Sequence, residues 1–309
     1  AKSFRSFSGF PYVELTLNIK NLKELSVLRE KEVGLEIKGG GYTFIEAEEL
    51  DYAYWKMVCH VLANMKGLLF SPEYNPILST SFQDPETGNL YRFEGMLGPF
   101  VEAGVSISIR LHQKQEKSFI DFGLTEALKE KLCSFVRCQK SILISGGTSS
   151  GKTTFLNLLA REIPLSKRIL TVEDTQELDL PHKNWKSYCI PREEVKASHT
   201  YQAIIDHFMR SRPDVILTGE VSIGNSFPIL RLLNTGHQGF MCTIHANSPT
   251  LALEEAFDQN LNLAGYKLEN TSDFLKKTID LVIQIESESS DKKRIQCIWE
   301  KKDGVSRLL

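Results

Sequence analysis

The densest chemistry in the chain is the run Gly146-Gly147-Thr148-Ser149-Ser150-Gly151-Lys152-Thr153. It satisfies G-x-x-x-x-G-K-[ST] at every fixed position. The apolar run "SILIS" (141–145) precedes it and an apolar-rich, helix-like segment follows, the strand–loop–helix context that gives the motif meaning. Glycines at 146, 147 and 151 let the backbone curl so that successive N–H groups point inward on one anion. The positive end of the following helix adds to the same spot. Lys152 supplies a point charge for β- and γ-phosphates, and the Thr153 hydroxyl can ligate Mg²⁺. The loop reads as a cradle for nucleotide phosphates.

Hydrolysis needs more, because a water must be oriented or deprotonated. Two acidic strand ends qualify: "TVEDTQEL" places Glu173 and Asp174 after one apolar run, and "VILTGEV" places Glu220 after another. Gly219 stands where many enzymes with this loop carry a magnesium-binding aspartate, which leaves Glu220 alone. One of Glu173 and Glu220 is expected to position the water and the other to serve the metal through its water shell. His245 closes "GFMCTIH" on the expected ligand edge, where its imidazole can sense a γ-phosphate by a hydrogen bond. His237, in the preceding "TGHQG" turn, is balanced between a structural and a functional role. His60, His112, His182, His199 and His207 read as ordinary residues.

These residues need a scaffold, and the second half of the chain spells one. Short apolar runs recur at 141–145, 168–173, 214–219, 239–245 and 279–285, and helix-like segments separate the first four. Such alternation predicts an α/β domain with a mostly parallel sheet buried between helices. Ligands of such sheets bind at the carboxyl ends of the strands, where the residues named above fall. Residues 1–111 read instead as a smaller α+β domain. "YVELTLNI" and "VGLEIKG" suggest strands, "ELDYAYWKMVCHVLANMKG" has helical spacing, and a turn within "FQDPETGNLYRFEG" joins extended segments. "VSISIR" alternates strictly, so Val105, Ile107 and Ile109 share one face and Ser106, Ser108 and Arg110 the other. The polar "LHQKQEKS" (111–118) is the candidate hinge. We expect domains at 1–111 and 121–309 with a linker over 112–120.

Bulk properties narrow the function class. With 309 residues, 41% of them apolar and 25% charged, the chain suits two soluble domains. A net charge of −2 provides no general attraction for nucleic acid, although a local basic patch stays open. No apolar run is long enough to span a membrane, and no signal-peptide core is evident. The six cysteines contain no C-x-x-C pair, which argues against structural zinc, and Cys242 and Cys297 fall in apolar stretches as core thiols do. The expectation is a cytoplasmic protein.

Taken as a set, "GGTSSGKTT", "TVEDTQEL", "RPDVILTGEV" and "TGHQGFMCTIHAN" resemble the Walker A, Asp-box, Walker B and His-box segments of the type II/IV secretion ATPase superfamily. The order and spacing are the family's across the whole second half. "NPILSTSFQDPETGNLYRFEGML…VSISIR" resembles the end of its N-terminal domain more loosely. No four-cysteine insertion and no pilus-retraction motif are found, so the likeness is greatest to the hexameric traffic ATPases of type IV secretion.

That resemblance implies a RecA-like P-loop domain preceded by a PAS-like one, binding ATP or ADP with Mg²⁺. Gly146 to Thr154 would hold the phosphates, with Lys152, Thr153 and Thr154 as principal contacts and Thr153 and Glu220 serving the metal. Glu173 would be the water-activating acid, Glu220 the second acid, and His245 a γ-phosphate contact. Arg92 and Arg110 would reach the nucleotide from the N-terminal domain, and Arg210 matches an arginine just before Walker B. The implied partners are five further copies in a ring and inner-membrane components of a secretion apparatus, with the protein peripheral at the cytoplasmic face.

Three departures stand out: Ser149 where the family has glycine, Ser222 where an arginine is common, and Phe240 where small residues are usual. Two other readings use the same loop. A nucleic-acid-stimulated motor would show salt-sensitive activation, and a nucleotide-gated scaffold would bind ATP with little turnover.

Overall fold

The computed structural model describes residues 19, 22–37, 41–83, 89–112, 117–190, 197–288, 292–302 and 304–307. The expected strand at 12–18, the turn at 84–88 and most of "LHQKQEKS" lie outside them. The chain divides into two compact units, Ala1–Gln115 and Glu116–Leu309. Strand structure continues to His112, Phe119 is packed in the second unit's core, and the boundary between the units falls within the expected 112–120.

The first unit is a six-stranded antiparallel sheet built from β1 (Leu22–Arg29), β2 (Glu32–Ile37), β3 (Gly41–Glu46), β4 (Ile77–Gln83), β5 (Leu90–Leu97) and β6 (Val105–His112). Its order is β3-β2-β1-β6-β5-β4. The alternation in β6 works as its pattern requires: Val105, Ile107 and Ile109 are buried. Helix α1 (Tyr52–Lys66) is capped by the Asp51 carboxylate, which accepts from Tyr54 N–H at 2.8 Å, and is closed by Gly67 in the left-handed region. It packs Trp55, Val58, Cys59 and Leu62 with Leu25, Phe93 and Ile109. β1 was not evident from "LKELSVLR", whose Leu, Lys, Glu and Arg favour helix. Pairing on both sides, with β2 and β6, overrides that preference.

The second unit is an eight-stranded sheet of β7 (Ile142–Gly146), β8 (Ile169–Glu173), β9 (Trp185–Cys189), β10 (Val215–Thr218), β11 (Phe240–His245), β12 (Leu281–Ser287), β13 (Lys293–Glu300) and β14 (Gly304–Arg307). The order is β14-β13-β12-β7-β11-β10-β8-β9, parallel from β12 to β9, with β13 and β14 antiparallel at one side. Every residue of β7, β8 and β10 is buried, the expected state of parallel strands covered on both faces. One face packs Ile142, Ile144, Leu217 and Ile283 under helices α2 (Glu126–Arg137) and α3 (Lys152–Ala160). The other packs Leu143, Val172, Cys242 and Val282 under α4 (Ala197–Arg210), α5 (Ser226–Asn234) and the helical stretch around Phe257. Among the described residues no helix is long and apolar enough to cross a membrane. All six cysteines are free, with Cys59, Cys133, Cys242 and Cys297 buried.

Candidate active site

Four adjacent parallel strands deliver the site. β7 runs into the glycine-rich loop, β11 ends on His245, β10 is followed by Gly219 and Glu220, and β8 ends on Glu173. Residues scattered over about a hundred positions of sequence therefore meet at one sheet edge.

The loop leads into α3, whose first residue is Lys152, and Gly151 stands before it with φ 93°. Lys152 is only 7% exposed. Its ammonium donates to Gly146 O at 3.0 Å, to Gly147 O at 2.8 Å and to His245 Nδ1 at 3.2 Å. An ammonium only donates, so Nδ1 must accept and the proton of a neutral His245 must sit on Nε2. That nitrogen lies 3.0 Å from Glu220 Oε1. Lysine, histidine and carboxylate thus form one directed chain. Burial pushes the Lys152 pKa below its ordinary 10.5, and the Glu220 charge pulls against that fall.

Glu173 occupies a different environment at the same edge. It is 1% exposed, and Oε1 accepts from the backbone N–H groups of Glu177 and Leu178, both at 3.0 Å. Oε2 is buried with no hydrogen-bond partner among the described residues. Desolvation drives the carboxyl up to about 7 against the two N–H donors, with the charges of Glu177 and Asp174 adding to the rise. A buried acid with one fixed and one unoccupied oxygen, titrating near neutrality, is equipped to take a proton from water.

Gly219 explains how this carboxylate shares its edge with Glu220. A Cβ there would lie 3.3 Å from Glu173 Cγ, so the missing side chain leaves room for the buried glutamate. Sequence reading missed the residues that hold this turn. Asn225, 1% exposed, accepts from Ser222 N–H at 2.8 Å and donates to Glu220 O at 2.8 Å. Thr243 donates to Gly219 O at 2.7 Å and ties the turn to β11. Short polar residues within a glycine-bearing turn, such as "GEVSIGNS", are the signal that could have pointed to Asn225.

Other candidates separate. Ser149 adopts φ 59°, the left-handed conformation a glycine would take without cost. Arg92 and Arg110 face each other as register partners on β5 and β6 in the first unit. Arg110 Nε donates to Glu24 Oε2 at 2.7 Å, and Ser108 Oγ donates to Glu24 Oε1 at 2.9 Å. The Arg110 assignment therefore acquires an acidic partner that the sequence pattern did not reveal. Arg210 is set apart from them within this chain. It is exposed at the end of α4, just before β10, and so stands at the amino edge of the parallel sheet rather than with Lys152. His237 lies at that same far edge, preceding β11 near Asp214. His182 is structural, its Nε2 lying 2.8 Å from Ile163 O.

Comparison with known proteins places this chain in a family. The family model described as "Type II/IV secretion system protein" matches residues 92–285. The type IV secretion system protein VirB11 of Bartonella henselae is 30% identical over 279 residues, covering 77% of this chain and 76% of that protein. The probable conjugal transfer protein TrbB of Sinorhizobium fredii is 30% identical over 281 residues, 88% of this chain and 81% of that one. The X-ray structure of the Legionella pneumophila ATPase DotB shares the fold, with a TM-score of 0.64 at 15% identity over 93% of this chain and 79% of its own. The chain belongs to the type II/IV secretion system protein family.

Proposed function

We propose that this protein is the ATP-hydrolysing motor of a type IV secretion apparatus or of a related conjugation apparatus, acting as a ring of six at the cytoplasmic face of the inner membrane. The observation that carries the reading is the chain from Lys152 through His245 to Glu220 beside the buried Glu173. The likeness to VirB11 and TrbB supports the choice of apparatus.

In this reading the loop N–H groups from Gly146 to Thr154 and the Lys152 ammonium hold the β- and γ-phosphates. His245 reports the γ-phosphate to Glu220, because any phosphate oxygen that draws Lys152 or His245 toward itself perturbs the pair at 3.0 Å. Glu173 Oε2 accepts the proton of the attacking water while Glu177 N–H and Leu178 N–H hold Oε1 still. Thr153 and Glu220 offer hard oxygen donors for Mg²⁺. Among the described residues no group of three or more His, Cys, Asp or Glu could hold a metal, which fits an ion carried mainly by phosphate oxygens. When bound, Mg²⁺ neutralises charge on the phosphates. Arg92 and Arg110, brought from the N-terminal domain of this or a neighbouring subunit by closure about the polar hinge, would complete the site, making turnover depend on assembly.

Phosphate release tests the enzyme. Wild type should turn over ATP, and Lys152→Ala should lower the rate by about a hundredfold or more. A wild type without turnover above the Lys152→Ala background would overturn the reading. Light scattering with and without a slowly hydrolysed ATP analogue tests the ring, which is refuted by a monomer in both conditions.

A further inference from the structure

β12 carries a residue that its neighbours do not predict. Leu281, Val282, Ile283 and Ile285 are all apolar and buried, yet the position between Ile283 and Ile285 is Gln284, only 2% exposed. It stands opposite Ser145, itself fully buried, on β7. Ser145 Oγ donates to Gln284 Oε1 at 2.5 Å, which orients the amide, and Gln284 Nε2 donates to Ala246 O at 3.2 Å. Ala246 directly follows His245, and Ser145 directly precedes Gly146. This small polar chain therefore ties the first residue of the phosphate loop to the last turn of β11, reaching across β7.

The face matters. Leu143 and Val282 belong to the core layer opposite α3, and period-two alternation puts Ser145 and Gln284 on that same reverse face. His245, one residue on from the buried Ile244, is directed the other way, toward Lys152. Gln284 is thus behind the sheet, out of reach of any phosphate held by the loop. Stability does not account for it either. Replacing both Ser145 and Gln284 by apolar residues of similar shape would be near neutral, so the core does not require the pair as a unit.

We propose that Gln284 is a positioning residue: with Ser145 it fixes the carbonyl of Ala246 and so holds His245 in line between Lys152 and Glu220. The proposal rests on the ATPase reading for its kinetic consequence but not for its geometric one. A displacement of about 1 Å in a group that contacts a reacting phosphate is enough to cost one to two orders of magnitude.

The test uses Gln284→Leu, with Ser145→Ala as a second variant that removes only the orienting hydroxyl. In nucleotide-free protein, imidazole ¹⁵N shifts, assigned with His245→Gln, should show His245 as the single Nε2–H tautomer in wild type and a mixture of tautomers in Gln284→Leu. Turnover of Gln284→Leu should fall about tenfold in kcat with KM within twofold, and Ser145→Ala should fall less. In a His245→Gln background, Gln284→Leu should cost nothing further. Unchanged His245 shifts, or full additivity with His245→Gln, would overturn the positioning role. Absent turnover in wild type would instead remove the ATPase reading while leaving the tautomer result to stand or fall by itself. If Gln284→Leu does not fold, Ser145→Ala must still shift the His245 signals, and failure to do so overturns the proposal.

Discussion

The two edges of the second unit's parallel sheet are built on opposite terms. At the amino edge Asp214 is fully engaged. Oδ2 accepts from Arg168 N–H at 2.8 Å and Oδ1 from Lys167 Nζ at 3.1 Å, while its backbone carbonyl accepts from Gln139 Nε2 at 2.9 Å. Gln139 O in turn accepts from Gly239 N–H, so β7, β8, β10 and β11 are laced together where they begin. The Arg168 N–H bond, aided by Lys167, holds the Asp214 carboxyl below its ordinary range. At the carboxyl edge a carboxylate is buried until its pKa climbs to about 7, a lysine is desolvated, and a serine sits in a glycine's conformation. One edge spends its polar groups on holding strands together. The other keeps charge in costly places, which is what a site that must bind and react requires.

The sharpest way to break this contrast is Glu173→Gln. If Glu173 takes the proton from water, turnover should fall by about 10²–10⁴ in phosphate-release assays. Stability should move the other way. The folded-state pKa lies above the ordinary 4.5, so the folded protein holds this proton more tightly than the unfolded chain does. The penalty is nil below about pH 4.5, grows as pH rises, and is complete above about pH 7, where it reaches on the order of 3 kcal/mol. Urea unfolding should therefore find Glu173→Gln more stable than wild type at pH 8, by somewhat less than that because the new amide N–H groups are also buried, and nearly equal to it at pH 4.5. The same ionisation should appear as an acid limb in kcat/KM, with activity rising through about pH 7. A flat profile between pH 6 and 8 would remove Glu173 as the base.

Asp214→Ala probes the opposite edge and should invert both results. Loss of its two side-chain hydrogen bonds should lower stability by about 1–2 kcal/mol, while turnover per folded molecule stays within twofold of wild type. A carboxylate held below 3.8 contributes its stability above that value and loses it only as pH falls further. Between pH 8 and 5 the Asp214→Ala deficit should thus stay constant, over the window in which the Glu173→Gln advantage shrinks. With His237, the imidazole near Asp214, replaced by glutamine in both proteins, a deficit that varied across this range would mean that the two edges are coupled.

How far sequence reading reached follows the same division. The loop was legible because its chemistry depends on fixed local spacing, and the strand-end acids because buried parallel strands are short apolar runs. β9 was not, since "WKSYC" is a half-buried outer strand in which Lys186 and Ser187 break the pattern. The meeting of His245 with Glu220 was legible only as a common edge. That their strands are neighbours is set by chain crossovers that no local pattern encodes. Gln284 was hidden for a related reason, as a lone polar letter inside an apolar run that reads as a buried strand. Motif adjacency gave Arg210 no position in space, and α4 sets it at the far edge of this chain's sheet.

The smallest expected effect tests whether the strain at the carboxyl edge matters. Ser149 at φ 59° costs about 1 kcal/mol relative to a residue free of a Cβ clash. Ser149→Gly relieves that cost, but it also loosens the unfolded chain, which takes back about 0.4–1 kcal/mol. The net change in stability should therefore be within about 0.5 kcal/mol, close to the resolution of urea titration. The loop itself should respond more clearly. Ser149 is exposed and its neighbours Gly147 and Gly151 already supply curvature, so a glycine widens the set of loop shapes that can close on phosphate. If the serine holds the loop slightly off its best shape, ADP binding should tighten by about two- to fivefold. If it pre-orders the loop instead, affinity should fall by a similar factor because the glycine chain has more freedom to lose. Calorimetric titration of ADP into both proteins decides between these signs. Only the first agrees with a carboxyl edge that tolerates strain, since a serine that improves binding would make Ser149 an adaptation of this chain rather than a cost it carries.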